Sequence, residues 1–315
     1  MSVPLTVRAG VALAFVSAAL SGVAIYLNGT IVHDFPDQTL LAAVRNGAVG
    51  AVLLAVLLLQ GRGAELRPAS SRHRLGFVIL GVIGGGIAFA LFFTGLAQAT
   101  ATDAAIIQKT MFVWVAMMAV PLLGERLGGA QIVGMVLLLG GTLLIAPAGT
   151  LAMGPGELLI LAATLLWAVE VIVARRLLGT QGALPAVTAR MAVGGVVLFG
   201  IVALNGHLAQ LGAWAPQQWA EVAITGAILL GYVATWYAAL RRAPASTVTS
   251  VLVVAAVITA LLQSLAAGSL PALTRVEGLG LVTLGAALVA GATVWWVARQ
   301  PRSVPAEAAV EASPS

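Results

Sequence analysis

Residues 75–146 read LGFVILGVIGGGIAFALFFTGLAQATATDAAIIQKTMFVWVAMMAVPLLGERLGGAQIVGMVLLLGGTLLIA. The stretch divides into three apolar runs, 75–97, 102–123 and 127–146. They are joined only by Gln98-Ala99-Thr100-Ala101 and by Gly124-Glu125-Arg126. Each run is about 20 residues, the length an α-helix needs to cross ~30 Å of hydrocarbon. Joints this short make consecutive helices antiparallel, so the stretch predicts three successive passes through a bilayer. The same three-run pattern returns over 220–297, and that duplication organises the chain.

Composition agrees. The chain has 315 residues, of which 60% are hydrophobic and 9% charged. Soluble domains carry about 25% charged residues, which excludes a soluble globular protein. There is no cysteine, which excludes disulfides and thiolate metal sites. The net charge of +5 sits in short loops rather than on one basic face, so it points to a membrane and not to nucleic acid. Ten apolar spans follow, near 9–27, 39–59, 75–97, 102–123, 127–146, 157–175, 187–205, 219–240, 247–267 and 277–297. The first is longer than the ~7–15 apolar residues of a signal peptide and reads as an uncleaved helix. Turn residues such as Gly61, Pro68, Pro147, Pro244 and Pro271 fill the joints. Residues 299–315 are polar and read as a disordered cytoplasmic tail.

The arginines set the orientation. With the amino terminus inside, Arg8, Arg62, Arg67, Arg72, Arg74, Arg126, Arg175, Arg176, Arg241, Arg242, Arg299 and Arg302 all face the cytoplasm, against Arg275 alone outside. The positive-inside rule therefore puts both termini in the cytoplasm, as expected for a multi-pass protein of the cell (inner) membrane. Residues 1–148 and 149–298 form two halves of five spans. Leu96 matches Leu240, Ala99 matches Ala243, Gly124 matches Gly268, Gly134 matches Gly278 and Gly141 matches Gly285, all at an offset of 144. Arg45 matches Arg190 one residue further on. Thr102-Asp103 and Ser246-Thr247 stand where N-cap residues precede an apolar run. Five is odd, so the second half enters the membrane inverted. The expected fold is all-α, with ten transmembrane helices as two inverted five-helix repeats and a substrate site near the midplane between them.

Leu122-Leu123-Gly124-Glu125-Arg126-Leu127, followed by Gly134 and Gly140-Gly141, forms a Gly-Glu-Arg turn and a glycine-spaced helix. With Leu96-Ala97-Gln98-Ala99-Thr100, Leu165-Leu166-Trp167-Ala168 and Arg190, it resembles the drug/metabolite transporter superfamily, in its EamA-type branch of ten-helix permeases. The resemblance covers about residues 9–297. It departs at Ser269, where the second repeat often carries a glutamate, and at Ser21-Gly22, where an aromatic is common. It implies gradient-driven export or exchange of small metabolites, amino acids and related compounds among them, without ATP. The chain indeed has no Gly-x-x-x-x-Gly-Lys-Ser/Thr phosphate loop.

Charges within a bilayer need a partner or a purpose. Lys109, the sole lysine, lies in span four opposite Val253 of the second repeat and is a candidate to meet an anionic substrate group. Glu170 lies in span six, three residues after Trp167. It is a candidate proton-coupling carboxylate, or else the partner of Arg190 or Arg175. Arg45 and Arg190, at paired positions, suit a structural task such as bonding backbone carbonyls, and Glu125 suits a helix cap or an anchor for its turn. Trp114, Trp167, Tyr232 and Trp236 are candidate substrate-stacking aromatics. Gln108 and Gln263 join Ser17, Ser21, Asn28 and Thr259 as polar residues that line a path or bond helix to helix. Trp214, Trp219, Trp295 and Trp296 read as interface anchors. Gly81, Gly85 and Gly194-Gly195 read as close helix packing.

The function read from this pattern is a secondary-active exporter working by alternating access, with no catalytic residues, metal or cofactor. Its partners are a small-molecule substrate, lipid and protons, in a monomer or homodimer. An intramembrane enzyme and a non-transporting scaffold are the alternatives. His-Glu-x-x-His is absent, His33, His73 and His207 fall between spans, and no long soluble segment exists. The excess of Arg45, Lys109 and Arg190 over Glu170 hints at a carboxylate-bearing or otherwise anionic substrate.

Overall fold

A computed structural model describes residues 3–31, 34–68, 70–99, 101–145, 153–268 and 273–299. Ser269, Pro147, Pro271, His33, Arg302 and the tail beyond Arg299 lie outside the described residues, as does the side chain of Thr102. The fold is all-α and carries the ten expected spans in two inverted halves. The first half holds α1 (Val3–Ile31), α2 (Gln38–Leu59), α3 (Ser71–Leu96), α4 (segments Ala101–Lys109 and Met111–Leu123) and α5 (Gly129–Ile145). The second holds α6 (Pro155–Leu177), α7 (Ala183–Leu204), α8 (Pro216–Arg242), α9 (segments Ala245–Leu252 and Ala255–Ala267) and α10 (Leu273–Arg299). Among the described residues nine helices are long and apolar enough to cross a membrane, and the shorter α5 is also apolar.

Local chemistry fixes the ends. Asp37 caps α2 by accepting the N–H groups of Thr39 at 2.7 Å and Leu40 at 3.1 Å. Pro155 and Pro216 open α6 and α8, where the missing N–H has no helical partner to lose. Gly124 (φ 68°) and Gly268 (φ 60°) close α4 and α9 in the left-handed region that a side chain resists. The expected N-cap residues lie further in than a cap position. The helices begin at Ala101 and Ala245, so Asp103 and Ser246-Thr247 lie inside their first turns. His73, expected between spans, lies in the first turn of α3, with Nε2 3.0 Å from the Thr180 hydroxyl.

Helix pairing obeys a two-fold relation. α5 packs on α10 and α2 on α7, each against its own counterpart; α1 packs on α8 and α9 as α6 packs on α3 and α4. Glycines make the α5–α10 contact possible. A Cβ at Gly134 would lie 2.8 Å from the Gly285 carbonyl oxygen, and one at Gly285 would lie 2.6 Å from that of Gly134. Gly141 and Gly278 meet in the same way, at 2.6 and 2.8 Å. The repeat relates Gly134 to Gly278 and Gly141 to Gly285, so each glycine touches the counterpart of the other, as antiparallel helices on a two-fold axis require. Close backbone approach replaces the hydrophobic drive that lipid does not supply. A buried polar clamp adds to it. Gln131 Nε2 donates to Thr293 Oγ1 at 2.7 Å. The Thr293 hydroxyl spends its own hydrogen on the Val289 carbonyl, so Thr247 donates to it at 2.8 Å.

Three spans that read as continuous are interrupted. Ile79–Ile87 of α3 is π-helical around Gly84-Gly85-Gly86. Such stretches recur at functional sites. α4 breaks at Thr110 and α9 at Val253-Val254, which are related positions of the two halves. The glycines of α3 and α7 pack as expected: a Cβ at Gly194 would lie 2.6 Å from the backbone of Gly85. Trp214, expected as an interface anchor, is instead buried, with its ring edge-on to Phe35 at 5.0 Å.

Candidate functional site

A cavity of about 210 Å³ lies between the halves and draws its walls from both. It gathers six of the eight expected substrate residues: Gln108, Lys109, Trp167, Glu170, Tyr232 and Trp236. Ser21 and Asn28 of α1, Phe89 of α3, and Arg45 and Arg190 line it as well. Two expected residues do not. Trp114 turns its Nε1 to the Thr110 hydroxyl at 3.0 Å and so spans the break in α4. Gln263 is exposed on the outside of α9. The polar stripes also divide. Ser17 donates to Thr235 and Thr259 to the Gly22 carbonyl, at 2.9 and 3.0 Å, so both bond helix to helix.

One wall is a buried polar cluster. Arg190 Nε donates to Glu170 Oε1 at 3.2 Å, and the Tyr237 hydroxyl donates to the same oxygen at 2.5 Å. Glu170 is 3% exposed and Tyr237 0%, so the ion pair is sealed from the bilayer. Glycine makes room for it, because a Cβ at Gly84 would overlap the Glu170 side chain. The Gly84 carbonyl accepts the indole N–H of Trp167 at 3.1 Å, and the Arg190 guanidinium lies over the Phe89 ring, 5.8 Å from its centre. Arg190 thus bonds a carboxylate rather than the backbone carbonyls expected of it. Arg175, the other partner considered for Glu170, bonds the Arg241 carbonyl at 3.4 Å.

Arg45 and Lys109 are held differently. Arg45 Nη1 donates to Asn28 Oδ1 at 2.7 Å, again a side chain and not the backbone. Its buried Nε has no partner among the described residues. Lys109 stands at the break in α4, as the last residue before Thr110. No hydrogen bond or ion pair engages it among the described residues. In the same cavity Tyr232 and Trp236 stack, with ring centres 6.2 Å apart and planes 29° from parallel. This is a flat surface that suits an aromatic or apolar body. Sequence reasoning missed Tyr237, although a tyrosine in a span signals a buried hydroxyl in need of a partner.

Glu125 is outside the cavity. Its carboxylate reaches from the α4–α5 turn across to α9, where it accepts the backbone N–H of Ala245 at 2.5 Å and the N–H and hydroxyl of Ser246. Of the two roles expected for it, this is the anchor to a neighbouring helix. The cap goes to α9 of the other half and not to α5. Beyond it Ala245, Val248 and Val251 are all 0% exposed. The end of the bundle that carries the termini is therefore closely packed beneath the cavity.

Three likenesses follow from comparison with known proteins. The profile of the EamA-like transporter family matches residues 8–146 and again 154–291. The Uncharacterized transporter YyaM of Bacillus subtilis (strain 168) is 26% identical over 260 residues, covering 79% of this chain and 83% of that protein. A solved crystal structure 21% identical in sequence superposes with a TM-score of 0.76 over 91% of this chain and 98% of that one. At that identity the likeness speaks for the fold.

Proposed function

Because the chain belongs to the EamA-like transporter family, we propose that it is a secondary-active exporter of small organic metabolites that works by alternating access. The observation that carries this reading is the cavity between the inverted halves, which brings Arg45, Lys109, Glu170 and Arg190 beside a stacked aromatic pair. Such placement is the usual one for substrate sites of inverted-repeat transporters. Amino acids and related compounds are the substrates that the resemblance implies. A gradient, protons being the first candidate, supplies the energy, in keeping with a chain that has no phosphate loop. The arginine asymmetry supports an inner-membrane protein with both termini in the cytoplasm. On that assignment the packed end held by Glu125 faces the cytoplasm, which supports a cavity reached from the other side.

The chain contains no cysteine, so single cysteines can be introduced without background. With an impermeant maleimide on intact cells, Ser21→Cys labels and Arg72→Cys does not. In inside-out vesicles loaded with a metabolite mixture, the Ser21→Cys adduct blocks uptake. Labelling of Arg72→Cys from outside overturns the sidedness. Uptake that persists in the fully labelled Ser21→Cys protein overturns the cavity as the route.

A further inference from the structure

The two halves carry different chemistry at equivalent points, and the contacts fix which points are equivalent. Gly47 meets Gly195 and Gly50 meets Ala192. These two contacts exchange when α2 is laid on α7 with Arg45 on Arg190, so the arginines are true counterparts. Gly10 packs on Arg242 and Ala243, and Gly156 on Gln98 and Ala99. This lays α1 on α6 with Gly10 on Gly156, and α3 on α8 with Gln98 on Arg242. In that register Ala24 is the counterpart of Glu170, and Phe93 that of Tyr237. The second half surrounds its arginine with a carboxylate and a phenol. The first half keeps the arginine but has a methyl and a phenyl at those positions.

Ala24 lines the cavity, as does Arg45. Arg45 is 8% exposed and its Nε is unpartnered. Lys109, whose counterpart is Val253, lines the same cavity with no partner among the described residues. Among the described lining residues three cations thus face one carboxylate, and that carboxylate already accepts from Arg190 and Tyr237. Cations without a counter-charge at this depth are costly, and an incoming anion relieves the cost. An ammonium group finds no free acid among the described lining residues.

We propose that the cavity binds an organic acid whose carboxylate takes, at Arg45, the place that Glu170 holds at Arg190. Lys109 is the second cation, and the Tyr232–Trp236 stack carries the apolar remainder. The proposal rests on the cavity being the substrate site, and it selects organic acids over amino acids and amines. A planar guanidinium paired with a carboxylate gives the charge-assisted bonds that an amide cannot match.

The test uses the full-length protein in lipid nanodiscs and four probes of similar shape: 3-phenylpropionate, 3-phenylpropionamide, phenylalanine and phenethylamine. Thermal unfolding and quenching of tryptophan fluorescence report binding. 3-Phenylpropionate binds at millimolar concentration, and the other three bind at least about tenfold more weakly. Lys109→Gln weakens the acid roughly tenfold. Ala24→Glu supplies the missing carboxylate from within, so the variant unfolds no lower than the wild type yet loses the acid. Equal binding of acid and amide, no binding of the acid, or full acid binding by a folded Ala24→Glu overturns the proposal. Counterflow in proteoliposomes separates it from the transport reading. Movement of phenylalanine or phenethylamine without the acid leaves a transporter and removes the anion site. Acid binding with no movement of any probe keeps the anion site and removes the transporter.

Discussion

Glu125 in the turn after α4 holds Ser246 at the start of α9, accepting its backbone N–H at 3.1 Å and its hydroxyl at 2.5 Å. A residue of the first half thereby satisfies the helix start of the second, where a carboxylate is doubly favoured by free N–H donors and by the helix dipole. Removing it strands the donors of Ala245 and Ser246 against a packed interface. Glu125→Ala should lower the unfolding free energy by about 1–3 kcal/mol. Glu125→Gln keeps one acceptor and should lose roughly half as much. Denaturant titration of the purified protein measures both.

Arg190 depends on Glu170 in the same sense. Glu170→Ala leaves a buried guanidinium without its carboxylate, and a loss of roughly 3–5 kcal/mol is expected. Tyr237→Phe removes one donor to the same oxygen and should cost about 1 kcal/mol. Because the Tyr237 hydroxyl bonds Glu170 itself, the double variant should lose less than the sum of the singles. A strictly additive pair would show that the hydroxyl does not act on this carboxylate.

Lys109 has no described partner to lose. Lys109→Ala should therefore leave the unfolding temperature unchanged or raised, while uptake of substrate into proteoliposomes falls to background. Undiminished uptake would place Lys109 outside the transport site. A fall in stability would show that it makes a structural bond.

Adjacent glycines of α5 give a sharp contrast. Gly141 abuts the Gly278 carbonyl, whereas a Cβ at Gly140 would meet nothing within 4 Å. Gly141→Leu should push α5 from α10 and cost about 1–3 kcal/mol or more. Gly140→Leu should stay within about 0.5 kcal/mol of the parent. Equal effects would contradict the packing.

Hydropathy made the spans and their inversion legible, because the length of an apolar run and the parity of the count depend on composition alone. In-span charges pointed to Lys109, Glu170, Arg45 and Arg190, since few residues are costlier in lipid. The breaks at Thr110 and Val253-Val254 were hidden. Gln108-Lys109-Thr110-Met111 and Val251-Leu252-Val253-Val254 contain neither proline nor glycine, so no helix breaker marks the interruption. Gln263 and Trp114 do not line the cavity, for a related reason. A polar or aromatic residue on a span announces that it needs company, not which side of the helix supplies it. The partner of Glu125, 120 residues further along the chain, was equally out of reach of local reading.

The crossed glycine pairs of α5 and α10 make each helix a template for its own image. A single five-helix unit already carries both surfaces needed to grip an upside-down copy of itself. Two polypeptides, one ending after Ile145 and one starting at Met153, should then find each other when made in the same cell, and the covalent tether is dispensable for assembly. Joining the halves in one chain leaves each free to differ, as Ala24 differs from Glu170, while the grip is kept.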